Sequence, residues 1–477
     1  MTMVVTSKQN KQIVRLKPGE SRLILLFGDF IAAFLALSVS LVLWSIEPDE
    51  WLNFSWQFII ERPPFWFFLL PILWIILLSG LYDHRKAIKR KDTVSGIAMS
   101  LLMSIILYLF VFFLSEPNSL PRLGVALFFL GSTIFTLIWR LFYIQIFSGP
   151  AFLRRVLIVG AGNSGKTLVN TVKQINPIPF NLIGLVDDDE TKRNTEICGF
   201  PVLGNSDDLL NLIEEHHISD VIFAITGNMK NSLLDTLLAI EEKGIEVTTM
   251  PVLYEELLGR IPIYLLQPDW LLRTFIDQIH INRFYEIAKR ALDIIGGFLG
   301  VIILLILLPF IFFAVSFDGG SKIFYTQSRF GKNGKEYKII KFRTMHLDAE
   351  KDGKPIPATE NDKRITKTGK FLRKSHIDEI PQFINILKGD MSLVGPRPER
   401  PLIVEEFQKK IPFYRARLLV KPGLAGWAQI NYGYASQVEE NAIKLEYDLY
   451  YIKHRNIILD ISILFQTVSS VVGLRGR

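Results

Sequence analysis

The 477-residue chain has one cysteine, Cys198. That excludes a disulfide framework and a cysteine-ligated zinc site. Charge is sparse too: Asp, Glu, Lys and Arg make up 21%, against 49% hydrophobic residues and a mean hydropathy of +0.28. A disordered chain needs the opposite balance. The 32 glycines follow no period, which excludes collagen. A strong cationic field is also missing. The net charge of +7 suits anionic lipid head groups or phosphorylated substrates, and no nucleic-acid partner is expected. What the chain has in quantity is phenylalanine, 35 residues, which points to lipid contact. The length allows roughly three domains at about 150 residues each.

Charge is nearly absent from four long runs. Residues 23–44 carry one acid, Asp29; residues 65–81 contain Pro71; residues 97–114 and 123–139 carry no charge. Each reaches or approaches the ~20 residues that cross ~30 Å of hydrocarbon. Four transmembrane helices are therefore expected within residues 1–148. Basic residues in short loops set the orientation. Lys8, Lys11, Arg15, Lys17 and Arg22 precede the first run, and the first loop is acidic with Glu47, Asp49, Glu50 and Glu61. Arg85, Lys86, Lys89, Arg90 and Lys91 precede the third run, and Arg140, Arg154 and Arg155 follow the fourth. Both ends of the block should face the cytoplasm, and so should everything after it.

Residues 149–265 alternate between strand and helix patterns. An apolar strand at 155–159 runs into Gly160-Ala-Gly162-Asn-Ser-Gly165-Lys-Thr. Read as Gly-x-Gly-x-x-Gly, this is a dinucleotide loop, with Asp187 at the end of the next strand placed to meet a ribose. Read as Gly-x4-Gly-Lys-Thr, it is a phosphate loop. Either way, backbone N–H groups at a helix start can hold an anion. The early acid favours a Rossmann-like domain, with a nucleotide or dinucleotide as its expected ligand at Gly160, Gly162, Gly165 and Asp187.

Residues 294–317 form a fifth apolar run, interrupted by Pro309 and preceded by Lys289, Arg290 and Asp293. A crossing would put a Lys- and Arg-rich tail outside, against the positive-inside tendency. A helix bent at the proline, entering and leaving by one leaflet, is expected instead. Residues 457–474 interleave apolar residues with Asp460, Ser462 and Gln466, the pattern of an amphipathic surface helix.

After the fifth run, phosphate-seeking groups crowd the chain. Arg329 lies in Gln-x-Arg-x-Gly, and Lys341 and Arg343 in Lys-Phe-Arg-Thr-Met. Arg373 opens Arg-x4-Asp378-Glu379-x-Pro-Gln, and Arg397 sits in Gly-Pro-Arg-Pro. Guanidinium forks bind phosphate oxygens bidentately. An adjacent carboxylate pair among them suggests a metal with a nucleophile or base.

In this order, these motifs resemble the bacterial sugar transferase family, the monotopic polyprenyl-phosphate hexose-1-phosphate transferases. Lys289-Arg-x-x-Asp293 and Lys421-Pro-Gly-x-x-Gly-Trp427-Ala-Gln429 complete the set. The whole chain is similar to the long form, with four transmembrane helices and a Rossmann-like domain ahead of the catalytic module. The resemblance implies a membrane protein with a transmembrane bundle, an α/β Rossmann-like domain and a mainly α-helical catalytic domain at 284–477, its re-entrant helix at about 287–317. It implies transfer of a hexose-1-phosphate from a UDP-sugar to undecaprenyl phosphate at the bacterial inner membrane, starting exopolysaccharide, capsule or O-antigen synthesis. Asp378 would be the nucleophile, forming a phosphosugar intermediate, with Glu379 helping to hold Mg2+. Arg329, Lys341, Arg343, Arg373 and Arg397 would lie near phosphates, and a homodimer is the implied assembly. Many members carry an arginine shortly after Trp-Ala-Gln that is missing here. Lys421 or Arg417 is expected to share its work. The competing reading gives the activity to the middle domain, as an NAD-dependent sugar-modifying enzyme or a nucleotide-sensing regulator.

Overall fold

A computed structural model describes residues 18–46, 54–114, 121–147, 154–175, 178, 180–225, 231–265, 283–317, 323–346, 362, 364–433 and 437–472. Lys8, Lys11, Arg15, Lys17, Glu47, Asp49 and Glu50, used above for orientation, lie outside these residues. The chain forms two compact units, Met1–Leu253 and Tyr254–Arg477.

In the first unit the apolar runs fold into the long helices Pro18–Ser45, Arg90–Leu114 and Arg122–Phe147. Each contains a window long and apolar enough to cross a membrane, as does a later helix, Arg283–Phe317. The run at 65–81 differs from the uninterrupted helix expected. It is a 3-10 turn Phe65–Leu69, an α-helix Leu70–Leu77 and a second 3-10 turn Ser79–Leu81. Pro71 lacks an N–H and belongs in a first helical turn, so the α-helix starts there. At 1.5 Å per α-residue and ~2.0 Å per 3-10 residue, the pieces laid end to end measure roughly 28 Å. Irregular backbone at that depth needs cover from protein. Phe67 and Trp74 are fully buried, and Trp74 Nε1 donates to Thr136 Oγ1 at 3.0 Å.

Arg140 is not a loop charge. It lies inside Arg122–Phe147, buried, with Nη2 2.6 Å from Asp29 Oδ2 and Nη1 donating to Leu81 O at 2.9 Å. A charge withdrawn from water requires such a partner.

The α/β part is one six-stranded sheet, ordered β3-β4-β2-β1-β5-β6. Its strands are β1 Arg155–Val159, β2 Asn181–Val186, β3 Glu196–Ile197, β4 Phe200–Gly204, β5 Asp220–Phe223 and β6 Glu246–Thr249. Pairing is parallel except between β3 and β4. β5 is buried along its whole length, as strands covered on both faces must be.

In the second unit, the helix Arg283–Phe317 runs through Pro309 as one element. Its first half seats on the fold through polar groups. Arg290 donates to Ile386 O and Leu387 O at 2.9 and 2.8 Å, satisfying the last carbonyls of helix Gln382–Lys388. Asp293 Oδ1 accepts from Ser392 Oγ and Leu393 N. Gly300 lets the helix lie against the Phe383 ring, where a Cβ would come within 2.2 Å. Past the proline, Ile311 and Val315 pack with Phe342 and Leu372, and Thr368 Oγ1 donates to Ala314 O at 3.2 Å. Both ends of this apolar helix thus rest on the same unit.

The remaining framework is a hairpin of β7 Phe324–Phe330 and β8 Glu336–Phe342, a short parallel pair of β9 Ser392–Val394 and β10 Gly423–Ala425, and the helices Val438–His454 and Ile457–Val472. The last helix departs from the expected surface pattern by burying a charge beside the apolar Ile463. Asp460 is fully buried, accepting from Tyr451 OH at 2.8 Å and Lys289 Nζ at 2.9 Å, while Ile458 is 68% exposed. Lys289 needs a counter-charge, which draws Asp460 inward. Ile261 and Ile263 join this unit's core, and Trp427 Nε1 donates to Gly259 O at 2.8 Å.

Candidate active site

Helix Lys367–Lys374 is followed by His376 in the left-handed region, φ +56°, which turns the chain into the single 3-10 turn Ile377–Glu379. Asp378 is buried there, only 9% exposed. Burial, and then the negative charge of Glu379, push its carboxyl up; Lys341, Arg373 and Arg397 pull it back. Glu379 Oε1 accepts from Lys341 Nζ at 2.7 Å and Arg397 Nη2 at 2.9 Å. Burial opposes its ionisation, yet Arg397 and Lys341 hold it well below the usual carboxylate range. The two neighbours are therefore unlike: Glu379 is a committed anion, and Asp378 is a buried carboxyl ringed by cations.

Three elements deliver these cations. Lys341 comes from β8, which Asn385 pins by accepting from Ile340 N and donating to Lys338 O. Arg373 comes from the last turn of its helix, with Nε donating to Thr344 Oγ1 at 2.9 Å. Arg397 comes from a turn laced to β10: Gly395 N donates to Ala425 O, and Gly423 N donates to Pro396 O. Gly395 is required by this close approach, since a Cβ would come within 2.4 Å of Lys421 O.

Arg329 and Arg417 brace that turn from behind. Arg329 Nη1 donates to Pro398 O at 3.2 Å, and Arg417 Nη2 donates to Arg397 O at 3.1 Å. Arg417 is 7% exposed and pairs with Asp448 at 2.8 Å. It is committed to the fold, unlike the phosphate-facing role suggested for it above. Burial pushes the Asp448 carboxyl up to about 6 and the Tyr414 hydroxyl, which accepts from Arg417, up to about 12. Arg343 stands two residues beyond Lys341; its Nη1 is buried and has no hydrogen-bond partner among the described residues. Asp448 and Thr344 escaped sequence reasoning. Asp448 left one signal: with Asn441, Leu445 and Ile452 it completes a stripe at i, i+4, i+7 and i+11 on Val438–His454, all buried.

Among the described residues, no three His, Cys, Asp or Glu side chains gather as a metal cage. Mg2+ commonly takes only one or two carboxylates plus substrate phosphates. Asp378 and Glu379 are oxygen donors of that kind, with Glu379 Oε1 already accepting from Lys341 and Arg397.

In the α/β part, Gly160 has φ +107°. A Cβ on Gly165 would lie 2.0 Å from Gly160 O, whereas nothing lies within 4 Å of one on Gly162. Asp187 Oδ2 accepts from Ala161 N at 2.6 Å, and its Oδ1 accepts from Asp189 N and Lys192 Nζ. The structure thus places this acid on the loop's own backbone.

Residues 284–473 match the family described as bacterial sugar transferase, and residues 78–251 match one described as CoA-binding domain. A UDP-N-acetylgalactosamine-undecaprenyl-phosphate N-acetylgalactosaminephosphotransferase of Aeromonas hydrophila is 37% identical over 226 residues, 45% of this chain and 53% of that one. A UDP-glucose:undecaprenyl-phosphate glucose-1-phosphate transferase of Klebsiella pneumoniae is 34% identical over 328 residues, 66% of this chain and 67% of that one. The enzyme of the same description from Escherichia coli is 42% identical over 188 residues, 38% of this chain and 40% of that one. The aligned region thus spans about half the length of the Aeromonas relative.

Proposed function

The chain belongs to the bacterial sugar transferase family, and from that premise we propose that it transfers a hexose-1-phosphate from a UDP-sugar to undecaprenyl phosphate, releasing UMP. The observation that carries the reading is the buried Asp378 within the charge field of Lys341, Arg373 and Arg397. A carboxylate attacking phosphorus must approach an anion, and preorganised cations are most of what phosphoryl transfer asks of a protein.

In the first step an Asp378 oxygen bonds to the sugar-bearing phosphorus, and the bond to UMP breaks, with UMP taking the electron pair. In the second, an oxygen of the lipid phosphate attacks the same phosphorus and Asp378 is released. Splitting the exchange means the two anionic substrates need not react directly. Glu379 holds Lys341 and Arg397 in place, and Arg343 Nη1, without a partner among the described residues, is a ready donor to a phosphate oxygen. Asp378 and Glu379 would be the residues to hold Mg2+, which would supply charge neutralisation when bound.

The proposed setting is the cytoplasmic face of a bacterial inner membrane, with a homodimer as the assembly and polysaccharide initiation as the role. A monotopic seat is supported by helix Arg283–Phe317 contacting its own unit before and after Pro309. A nucleotide or dinucleotide at the Gly160–Gly165 loop is a separate proposal, supported by the open space over Gly162 and tested by equilibrium binding of labelled NAD and CoA.

The test is transfer of radiolabel from UDP-glucose, UDP-galactose and UDP-N-acetylgalactosamine to undecaprenyl phosphate, in detergent with Mg2+. Label in the lipid fraction with released UMP, abolished in Asp378→Asn, is expected. Product formed equally by Asp378→Asn would remove Asp378 as nucleophile. No product from any of the three donors would overturn the reading for those sugars.

A further inference from the structure

Among the described residues, none covers one face of helix Lys367–Lys374. At 100° per residue, Lys367, Lys370, Phe371 and Lys374 fall within an arc of about 100°. All four are exposed, and Phe371, 65% exposed, lies at one edge of the arc beside the three lysines. The opposite side carries the buried Gly369 and Leu372. It is held to the apolar helix by Thr368 on Ala314 O and by Leu372 among Ile311 and Val315. In those same last turns, Phe310 and Phe313 are 70% and 62% exposed. The cationic face therefore continues from an apolar surface that needs lipid.

We propose that Lys367, Lys370 and Lys374 dock this helix onto the anionic phospholipid head groups of the bilayer, with Phe371 inserted beside them. An aromatic residue within a basic amphipathic face is the chemistry of an interfacial helix. Lysines near an anionic surface each strengthen binding by roughly five-fold. The helix ends at Lys374, with only Ser375, His376 and Ile377 before Asp378. Docking therefore fixes the height of Asp378 over the head groups. The proposal concerns surface contact and stands whether or not the transferase reading holds.

The full-length chain carrying Cys198→Ser and Phe371→Cys is labelled with bimane. It is placed in nanodiscs of phosphatidylcholine alone or with phosphatidylglycerol. Lipid-borne doxyl should quench the label more with phosphatidylglycerol, and aqueous acrylamide less. Combined Lys367→Glu, Lys370→Glu and Lys374→Glu substitution should erase that difference, as should high salt. With Phe371 intact, amide exchange across 367–374 should be slower in phosphatidylglycerol discs and lose that dependence in the triple variant. Equal acrylamide access in both discs, with exchange independent of lipid, would overturn the proposal. So would a label shielded only after an acidic protein is added.

Discussion

Glu446 allows a quantitative test of how residues 254–265 are held in the catalytic unit. Its side chain is 7% exposed and accepts from Ile263 N at 3.3 Å, with Tyr254 OH at 3.5 Å and Arg260 Nε at 3.4 Å. Burial outweighs the Arg260 charge and pushes the carboxyl from an ordinary 4.5 up to about 7. Ionising it in the folded protein therefore costs about 3 kcal/mol more than in the unfolded chain, at 1.36 kcal/mol per pH unit. Between pH 4.5 and 7 the folded state binds the proton more tightly. The associated stability is complete below the lower value and lost as pH rises through the upper one. Glu446→Gln keeps an acceptor for Ile263 N and removes the charge. At pH 8 it should make the segment more stable by up to about 3 kcal/mol, a gain that fades toward pH 4.5. Where local opening governs exchange, amides in 259–265 should exchange on the order of 100-fold more slowly than in wild type at pH 8. Exchange–mass spectrometry on both proteins at one pH reads this directly. Faster exchange in Glu446→Gln at pH 8 would show that the attraction to Arg260 exceeds the penalty of burial, refuting the reasoning.

Other perturbations follow from single contacts. Gly300→Ala should drive a methyl into the Phe383 ring and lower the thermal midpoint of the purified protein through a cost of about 1–3 kcal/mol. Arg140→Leu should cost about 3–5 kcal/mol by leaving Asp29 buried and unpaired; adding Asp29→Leu should recover most of it, read as resistance to unfolding in SDS. Asp187→Ala should strip the acceptor from Ala161 N and destabilise the α/β part by about 1–3 kcal/mol, seen as faster proteolysis within 155–249. Arg397→Lys keeps a charge but loses the guanidinium fork, so label transfer to lipid should fall on the order of 10- to 100-fold.

The gathering of Lys341, Arg373, Asp378, Glu379 and Arg397 was legible because each stands in a short motif whose polar residues have no place in a core. The strand–helix alternation of 155–249 was legible for the same local reason, through period and turn residues. What escaped depended on partners distant in sequence. Arg417 reads like any other cation until Asp448 and the Arg397 carbonyl are seen around it. Asp460 reads as the wet side of a helix until Lys289 is placed opposite. Arg140 reads as a loop charge because hydropathy cannot see Asp29 across the bundle. The break at Pro71 turned on local backbone chemistry that a count of apolar residues passes over.

A tether that only holds a domain at a bilayer can be exchanged for another of equal length. The helix Arg283–Phe317 cannot. Its arginine closes the carbonyl end of helix Gln382–Lys388, its aspartate orders the start of β9, and its far end supplies a wall for the residues around Asp378. A chimaera with a foreign transmembrane segment would remain anchored and lose part of the enzyme's interior. Evolution could therefore exchange a plain anchor far more freely than it could replace the helix Arg283–Phe317 of this chain.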